Sequence, residues 1–407
     1  MTGAVTGPPP RATSVPEAQG LMLDEATPLA AERVAVADAH GRYLAADVVA
    51  ARTQPAADLS AMDGYAVRAD DLAGPWLVVG ESAAGHPFAG ALDAGHAARI
   101  STGALMPAGA GAVLLQEDAL RTGDRLAVSG AGAPSPRHVR RAGFDFGSGE
   151  LLLGAGTRMG PAQIALALAG GHAQVACHRL PTVAVIDTGD ELAADPGACA
   201  AHQIPASNGA MLAAFAAPYA ACVHRIGPAA DNREALAEAL RQAEGADVIV
   251  TSGGVSVGDH DLIRPALIAW GARIELWQVA MRPGKPVLVA RRDRTTILGL
   301  PGNPVSSYVT AFLFLLPLLR RLGGARECLP HPIRARLAAP LGAGGIRTEF
   351  IRARLEGDEV TALSEQDSSA LRTLAAANAL IERAIGAPAS PAGAMVRVFS
   401  LENGGTV

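Results

Sequence analysis

Between residues 182 and 322 the chain alternates short, largely apolar runs with amphipathic stretches, and no other feature restricts the fold as much. Residues 182–186, 248–251, 274–280, 287–290 and 296–300 read as strands. Residues 208–217, 232–244, 261–270 and 304–322 read as helices, with Ser207 as an N-cap and Leu236 and Leu240 on one helical face. Strands that are apolar throughout are buried on both faces. The segment is therefore expected to form a parallel sheet with helices on either side.

The flanking regions follow other patterns. Residues 1–13, rich in Pro, Gly and Thr, read as a disordered tail. Residues 58–146 carry short β-prone runs (76–79, 112–115, 126–128) between Gly and Pro turns and read as a β-rich insertion. It divides a flanking unit, 14–57 and 147–181, which has a short helix after Pro16 and another from Pro161 to Ala169. Residues 182–329 form the α/β unit. Residues 330–407 are again β-like and read as a small C-terminal domain. A total of 407 residues is more than one core supports.

Composition excludes several classes. A net charge of −5 and 4% aromatic residues argue against a nucleic-acid binder. The longest apolar run, 309–319, contains Pro317 and is too short to span a bilayer, so it reads as a buried helix. Residues 1–20 lack the pattern of a secretory signal. Cys177, Cys199, Cys222 and Cys328 have no metal or redox spacing, which fits reduced, mostly buried thiols in a cytoplasmic protein.

Ligands of open α/β sheets bind beyond the carboxyl ends of the strands, so the loops there carry the chemistry. After the first strand come Asp187, Asp190 and Glu191, hard oxygen donors suited to Mg²⁺ or simply a solvated acidic turn. After 248–251 comes a run from Thr251 to Asp261 with Ser252, Gly253, Gly254, Ser256, Gly258 and Asp259. Its paired glycines are expected to turn backbone N–H groups toward an anion. After 296–300, Pro301, Gly302, Asn303 and Pro304 lead into the long helix with Ser306 in its first turn: an anion site at a helix N-terminus, or plain capping. Between the last two loops, Arg282 and Lys285 lie on a stiff Pro/Gly turn. Lys285 is the one lysine among 34 basic residues, and Asn occurs only five times, so both types are candidates for specific chemistry. Carboxylates, N–H groups and two cations on one sheet edge suit a phosphorylated or nucleotide-bearing substrate.

These motifs, in this order, resemble the molybdopterin molybdenumtransferases, or molybdenum insertases. The resemblance rests on residues 60–68 (Ser-Ala-Met-Asp-Gly-Tyr-Ala-Val-Arg), 101–107, 116–117, 140–145, 188–192, 207–208, 252–259, 282–286 and 301–304, and runs from about Val15 to the C-terminus. It implies a discontinuous linker domain, an inserted β-rich domain, a molybdopterin-binding α/β domain and a C-terminal β-barrel. It also implies an elongated, cytoplasmic homodimer that takes adenylylated molybdopterin and molybdate, inserts molybdenum into the dithiolene and releases AMP with Mg²⁺. By motif position, Asp63, Thr102 and Asp145 would complete the site across the dimer. Glu191, Asp231 and Asp261 would lie near Mg²⁺ and the phosphoanhydride, Lys285 and Arg282 would hold oxoanion oxygens, and Pro301–Pro304 with Ser306 would shape the pterin pocket.

The chain departs from the family where Arg282 replaces a lysine common in relatives, and in residues 365–371, where Asp and Ser stand in place of Gly. The resemblance also admits contacts with an adenylyltransferase or a molybdoenzyme chaperone. Two other readings share these motifs. One is the related adenylyltransferase, typically a single α/β domain. The other is a non-catalytic scaffold like the insertase-like half of gephyrin. The β-rich signature argues against the first, and the full acidic set with Lys285 against the second.

Overall fold

The computed structural model describes residues 13–254 and 262–401. Its centre is a six-stranded sheet of β1 (Thr182–Thr188), β2 (Cys222–Ala229), β3 (Val248–Ser252), β4 (Arg273–Trp277), β5 (Leu288–Arg292) and β6 (Thr295–Leu300), in the order β2-β1-β3-β6-β5-β4. The first four strands in that order are parallel. β5 runs antiparallel to both of its neighbours, β6 and β4, which corrects the all-parallel expectation. A parallel crossover needs a dozen or more residues, and only Asp293 and Arg294 join β5 to β6. Asp293 takes the positive φ of 52° that such a tight turn demands. The edge strand β2 escaped sequence reading because its exposed positions, Cys222, His224 and Arg225 among them, break the apolar run.

Helices α1 (Asn208–Ala216), α2 (Arg233–Gln242), α3 (Ile263–Ala269) and α4 (Pro304–Leu322) cover the sheet. Val183, Val185, Val250 and Leu298 pack against α1 and α4 on one face. Ala184, Ile186, Ile249 and Ile297 pack against Leu236, Leu240 and Leu267 on the other. Helix α4 is apolar and long enough to cross a membrane, yet 89% of its most apolar stretch is buried inside the protein. It widens into a π-turn at Ala311–Leu315, just before Pro317. Proline lacks the N–H that would reach the Leu313 carbonyl. The buried amide of Gln19, from the N-terminal helix Val15–Asp24, donates to that carbonyl at 2.8 Å.

The C-terminal region is a closed barrel of five strands: Thr348–Glu356, Glu359–Ala362, Ile333–Leu337, Met395–Ser400 and Ala379–Arg383, the last pairing back onto the first. Two features join it to the α/β unit. The short strand Met281–Arg282 runs parallel to Thr348 and Glu349. Phe399 meets Phe312 of α4 edge-on, 5.8 Å between centroids, and Phe350 at 6.2 Å. One hydrophobic core thus runs from sheet to barrel.

The β-rich unit is a separate six-stranded sheet around Tyr65, Trp76 and Leu114. The segments on either side of it pair with each other, Ala31–Ala35 against Gln174–His178. All four cysteines are free, as expected of reduced thiols. Only Cys177 and Cys328 are buried.

The entry end of the sheet is pinned by one carboxylate. Asp247 accepts from Arg179 through both oxygens (2.6 and 2.7 Å) and from the Thr182 backbone N–H (2.8 Å) and hydroxyl (2.9 Å). This fixes the register of β1 against β3. Burial pushes the Asp247 carboxyl up, but the Arg179 and Thr182 hydrogen bonds outweigh it and hold it below the usual range. A depressed carboxylate contributes stability that is present above the unfolded-state pKa and lost as pH falls through the folded one. Asp247→Asn is expected to cost on the order of 2–3 kcal/mol at pH 7. It should also flatten the decline in Tm as pH falls below about 4, where an unfolded Asp titrates. Thermal melts of both forms between pH 7 and 3 check this.

Candidate functional site

Three loops leave the carboxyl ends of β1, β3 and β6 side by side. Asn208, at the start of α1, joins two of them: its amide donates to Ser252 Oγ at 2.9 Å and to the Gly302 carbonyl at 2.6 Å. Asp187 lies in register with Ser252 and accepts from the Gly209 N–H at 3.1 Å. It is only 4% exposed, and burial pushes its carboxyl above the usual range against the opposing Gly209 hydrogen bond and Arg225 charge. Asp187 thus turns inward, away from the acidic turn of which it was expected to be part.

The glycine loop corrects one expectation. Gly253 and Gly254 take positive φ, but the Gly253 N–H donates to the Leu300 carbonyl at 3.1 Å and does not face an anion. Ser256, Gly258, Asp259 and Asp261 lie outside the described residues.

The exposed carboxylates sit on adjoining loops. Asp190 Oδ1 accepts from the Asp231 backbone N–H at 3.0 Å, and Glu191 is next in sequence, its carboxylate lying over Gly189. Among the described residues no group of three or more His, Cys, Asp or Glu is placed to hold a metal ion. Mg²⁺ does not require one, since it is commonly held by one or two carboxylates with waters and substrate phosphates. The oxygen-only donors Asp190, Glu191 and Asp231 fit that mode.

The cations meet in a cleft of about 520 Å³ between the α/β unit and the barrel. Arg282, Lys285 and Ser306 line it with Arg347, Glu349, Asp367 and Ser368. Gly284 lets this turn press against α4: with φ +98°, a Cβ there would sit 2.4 Å from the Thr310 methyl. Arg282 is half of an ion pair, 3.6 Å from Glu349, so it offers less free charge than the sequence suggested. Lys285 is exposed and makes no ion pair among the described residues. Lys285 and Arg347 also line a neighbouring cavity of about 1200 Å³ beside Ser14 and Glu17.

Asn303 and the first turn of α4 meet the barrel directly. The Val305 N–H donates to the Ser368 carbonyl at 3.0 Å, and the Asn303 amide donates to Ser368 Oγ at 2.9 Å. Asn303 does not cap its own helix. The loop bearing Ser368 is clamped by buried Arg352, which donates to the carbonyls of Glu365 (3.1 Å) and Ala370 (3.4 Å). Pro301 is buried, and Gly302 and Pro304 adjoin it at the loop's rim.

In the β-rich unit, Asp63 Oδ1 accepts from the Thr102 N–H at 2.7 Å, so the structure brings these two together. Asp145 hangs from the neighbouring turn through its N–H to the Gln54 carbonyl at 3.0 Å. None of the three lines the Lys285 cleft.

Sequence reasoning assigned no role to Asn208, Arg347 or Asp367, although the 207–208 motif and the departure at 365–371 marked the first and the last. The scarcity of Asn was a signal for the first. Arg347 had none, because only the pairing of Met281–Arg282 with the barrel places it beside Lys285.

Comparison with known proteins accords with this architecture. Residues 13–171 match the model "MoeA N-terminal region (domain I and II)", 184–321 "Probable molybdopterin binding domain" and 334–401 "MoeA C-terminal region (domain IV)". The molybdopterin molybdenumtransferase of a Nostoc species is 38% identical over 77% of this chain and 74% of its own length. Molybdopterin molybdenumtransferase 2 of Mycobacterium tuberculosis is 37% identical over 90% of this chain and 94% of its own. The crystal structure of the molybdopterin biosynthesis moeA protein from Pyrococcus horikoshii OT3 superposes with a TM-score of 0.81 at 25% identity, covering 96% of this chain and all of that one. With full-length relatives at this identity and all three regional models in order, the chain belongs to the molybdopterin molybdenumtransferase family.

Proposed function

We propose that this protein transfers molybdenum from molybdate into adenylylated molybdopterin, with release of AMP, as a cytoplasmic homodimer. The observation that carries the reading is the convergence of Lys285, Arg347 and Arg282 on one cleft beside the loops joined by Asn208. Both substrates are anions. Two unit negative charges 4 Å apart repel by about 4 kcal/mol at an effective dielectric of 20. Lys285 and Arg347 offset that repulsion, Lys285 as a compact charge and Arg347 as a planar fork suited to oxoanion oxygens. Ser306 and Ser368 supply hydroxyl donors in the same cleft. Glu349 pairs with Arg282 and tempers the positive potential of the cleft.

Ser252 and the Asn208 bridge define the floor beside which the pterin and its phosphates would lie. Glu191 and Asp231, with the adjoining Asp190 and with Asp261, would hold Mg²⁺, whose chemistry is to polarise the phosphoanhydride oxygens. Asp63, Thr102 and Asp145 reach a site only from a second copy in this reading. That accounts for their exposure on a unit whose own core lies elsewhere.

Incubation of the purified protein with adenylylated molybdopterin, molybdate and Mg²⁺, scoring AMP and active cofactor, tests the reading directly. Lys285→Ala is expected to lower molybdate-dependent AMP release more than tenfold while changing stability by less than about 0.5 kcal/mol, as for an exposed side chain. Equal loss of both would contradict the role. Ser368→Ala removes the partner of the Asn303 amide. It should cost about 1 kcal/mol and raise the molybdate concentration for half-maximal activity several-fold. Tm and molybdate titrations measure the two effects.

A further inference from the structure

We infer that Asp187 is a positioning residue of this site: its carboxylate seats the first turn of α1 so that Asn208 can tie the glycine loop after β3 to the proline loop after β6. The inference rests on the molybdopterin reading above. Ser207, the N-cap of α1, makes no side-chain capping bond. The helix is capped instead from a neighbouring strand, by Asp187 Oδ2 on the Gly209 N–H. The sequence makes room for this contact. A Cβ at residue 209 would sit 2.0 Å from Asp187 Oδ2, so any residue but glycine would evict the carboxylate or move the helix.

Asp187 occupies a costly place. The preceding side chains on its face of β1, Val183 and Val185, are apolar core. Its second oxygen, Oδ1, is buried without a hydrogen-bond partner among the described residues. An unsatisfied buried carboxyl oxygen opposes folding, and such local inconsistency is expected where a site is being served. The service is one residue away. The Asn208 amide donates to Ser252 Oγ and to the Gly302 carbonyl, and so fixes the spacing of the two loops before substrate arrives. Without Asp187 the first turn of α1 is free to shift. The loops then close on substrate only at the expense of binding energy, while the groups that act on the reacting atoms are untouched.

The test compares wild type, Asp187→Ala, Asp187→Asn and Gly209→Ala in steady-state AMP release and in amide exchange of the free protein. Asp187→Ala and Gly209→Ala are expected to raise KM for adenylylated molybdopterin about tenfold with kcat within about twofold. Protection of the backbone amide at position 209 should be lost in both. Asp187→Asn keeps an oxygen that can accept from Gly209, and should restore both KM and protection. Unchanged KM and protection in Asp187→Ala would overturn the inference, as would an Asn variant as impaired as the Ala one. A wild-type protein that releases no AMP would overturn the functional reading instead and leave the exchange result to decide the role of Asp187. Should Asp187→Ala fail to fold, Gly209→Ala and Asp187→Asn carry the same comparison.

Discussion

Helix α4 is held on three sides at once. The sheet packs on one flank, the N-terminal helix reaches its π-turn through Gln19, and the barrel meets it through Phe399 and Ser368. A helix so enclosed cannot translate without breaking several buried contacts together. Its N-terminus, the proline loop and the Lys285 turn that presses on Thr310 therefore keep fixed places. The cleft between sheet and barrel follows from that docking. Lys285 comes from the α/β unit and Arg347 from the barrel, and neither alone would make an oxoanion site.

The charge layout has two ends. Cations gather where sheet and barrel meet, and the carboxylates Asp190, Glu191 and Asp231 stand on the loops after β1 and β2. Between them lies a neutral stretch of hydroxyls, glycines and the Asn208 amide. Such an arrangement suits the proposed reading, in which molybdate is held at one end and a metal-bound phosphoanhydride at the other.

Much of the α/β unit was legible because its central strands are apolar runs and its helices show amphipathic spacing, as at Leu236 and Leu240 of α2. The reversed direction of β5 was not, because a buried strand looks the same in either direction and only the two-residue turn at Asp293 that joins it to β6 reveals it. Lys285 stood out by its rarity and proved to lie in a cleft. Arg282 stood out equally, yet its pairing with Glu349 depends on a strand contact from a region more than sixty residues on. Asp187 reads from the sequence as a Mg²⁺ donor or as part of a solvated acidic turn. Whether a carboxylate at a strand end faces solvent or the interior depends on the phase of the pleat and on Gly209, which no local pattern discloses. The Gly253 N–H was misassigned for a similar reason, since its partner Leu300 belongs to another strand.

The account depends above all on the oxoanion being met by side chains from both the sheet and the barrel. The most direct measurement is a crystal soaked with tungstate, located by its anomalous signal. The account predicts the oxoanion in the cleft, with oxygens about 3 Å from Lys285 Nζ and the Arg347 guanidinium and beside Ser368. Tungstate bound elsewhere, with that cleft empty at saturating concentration, would contradict it.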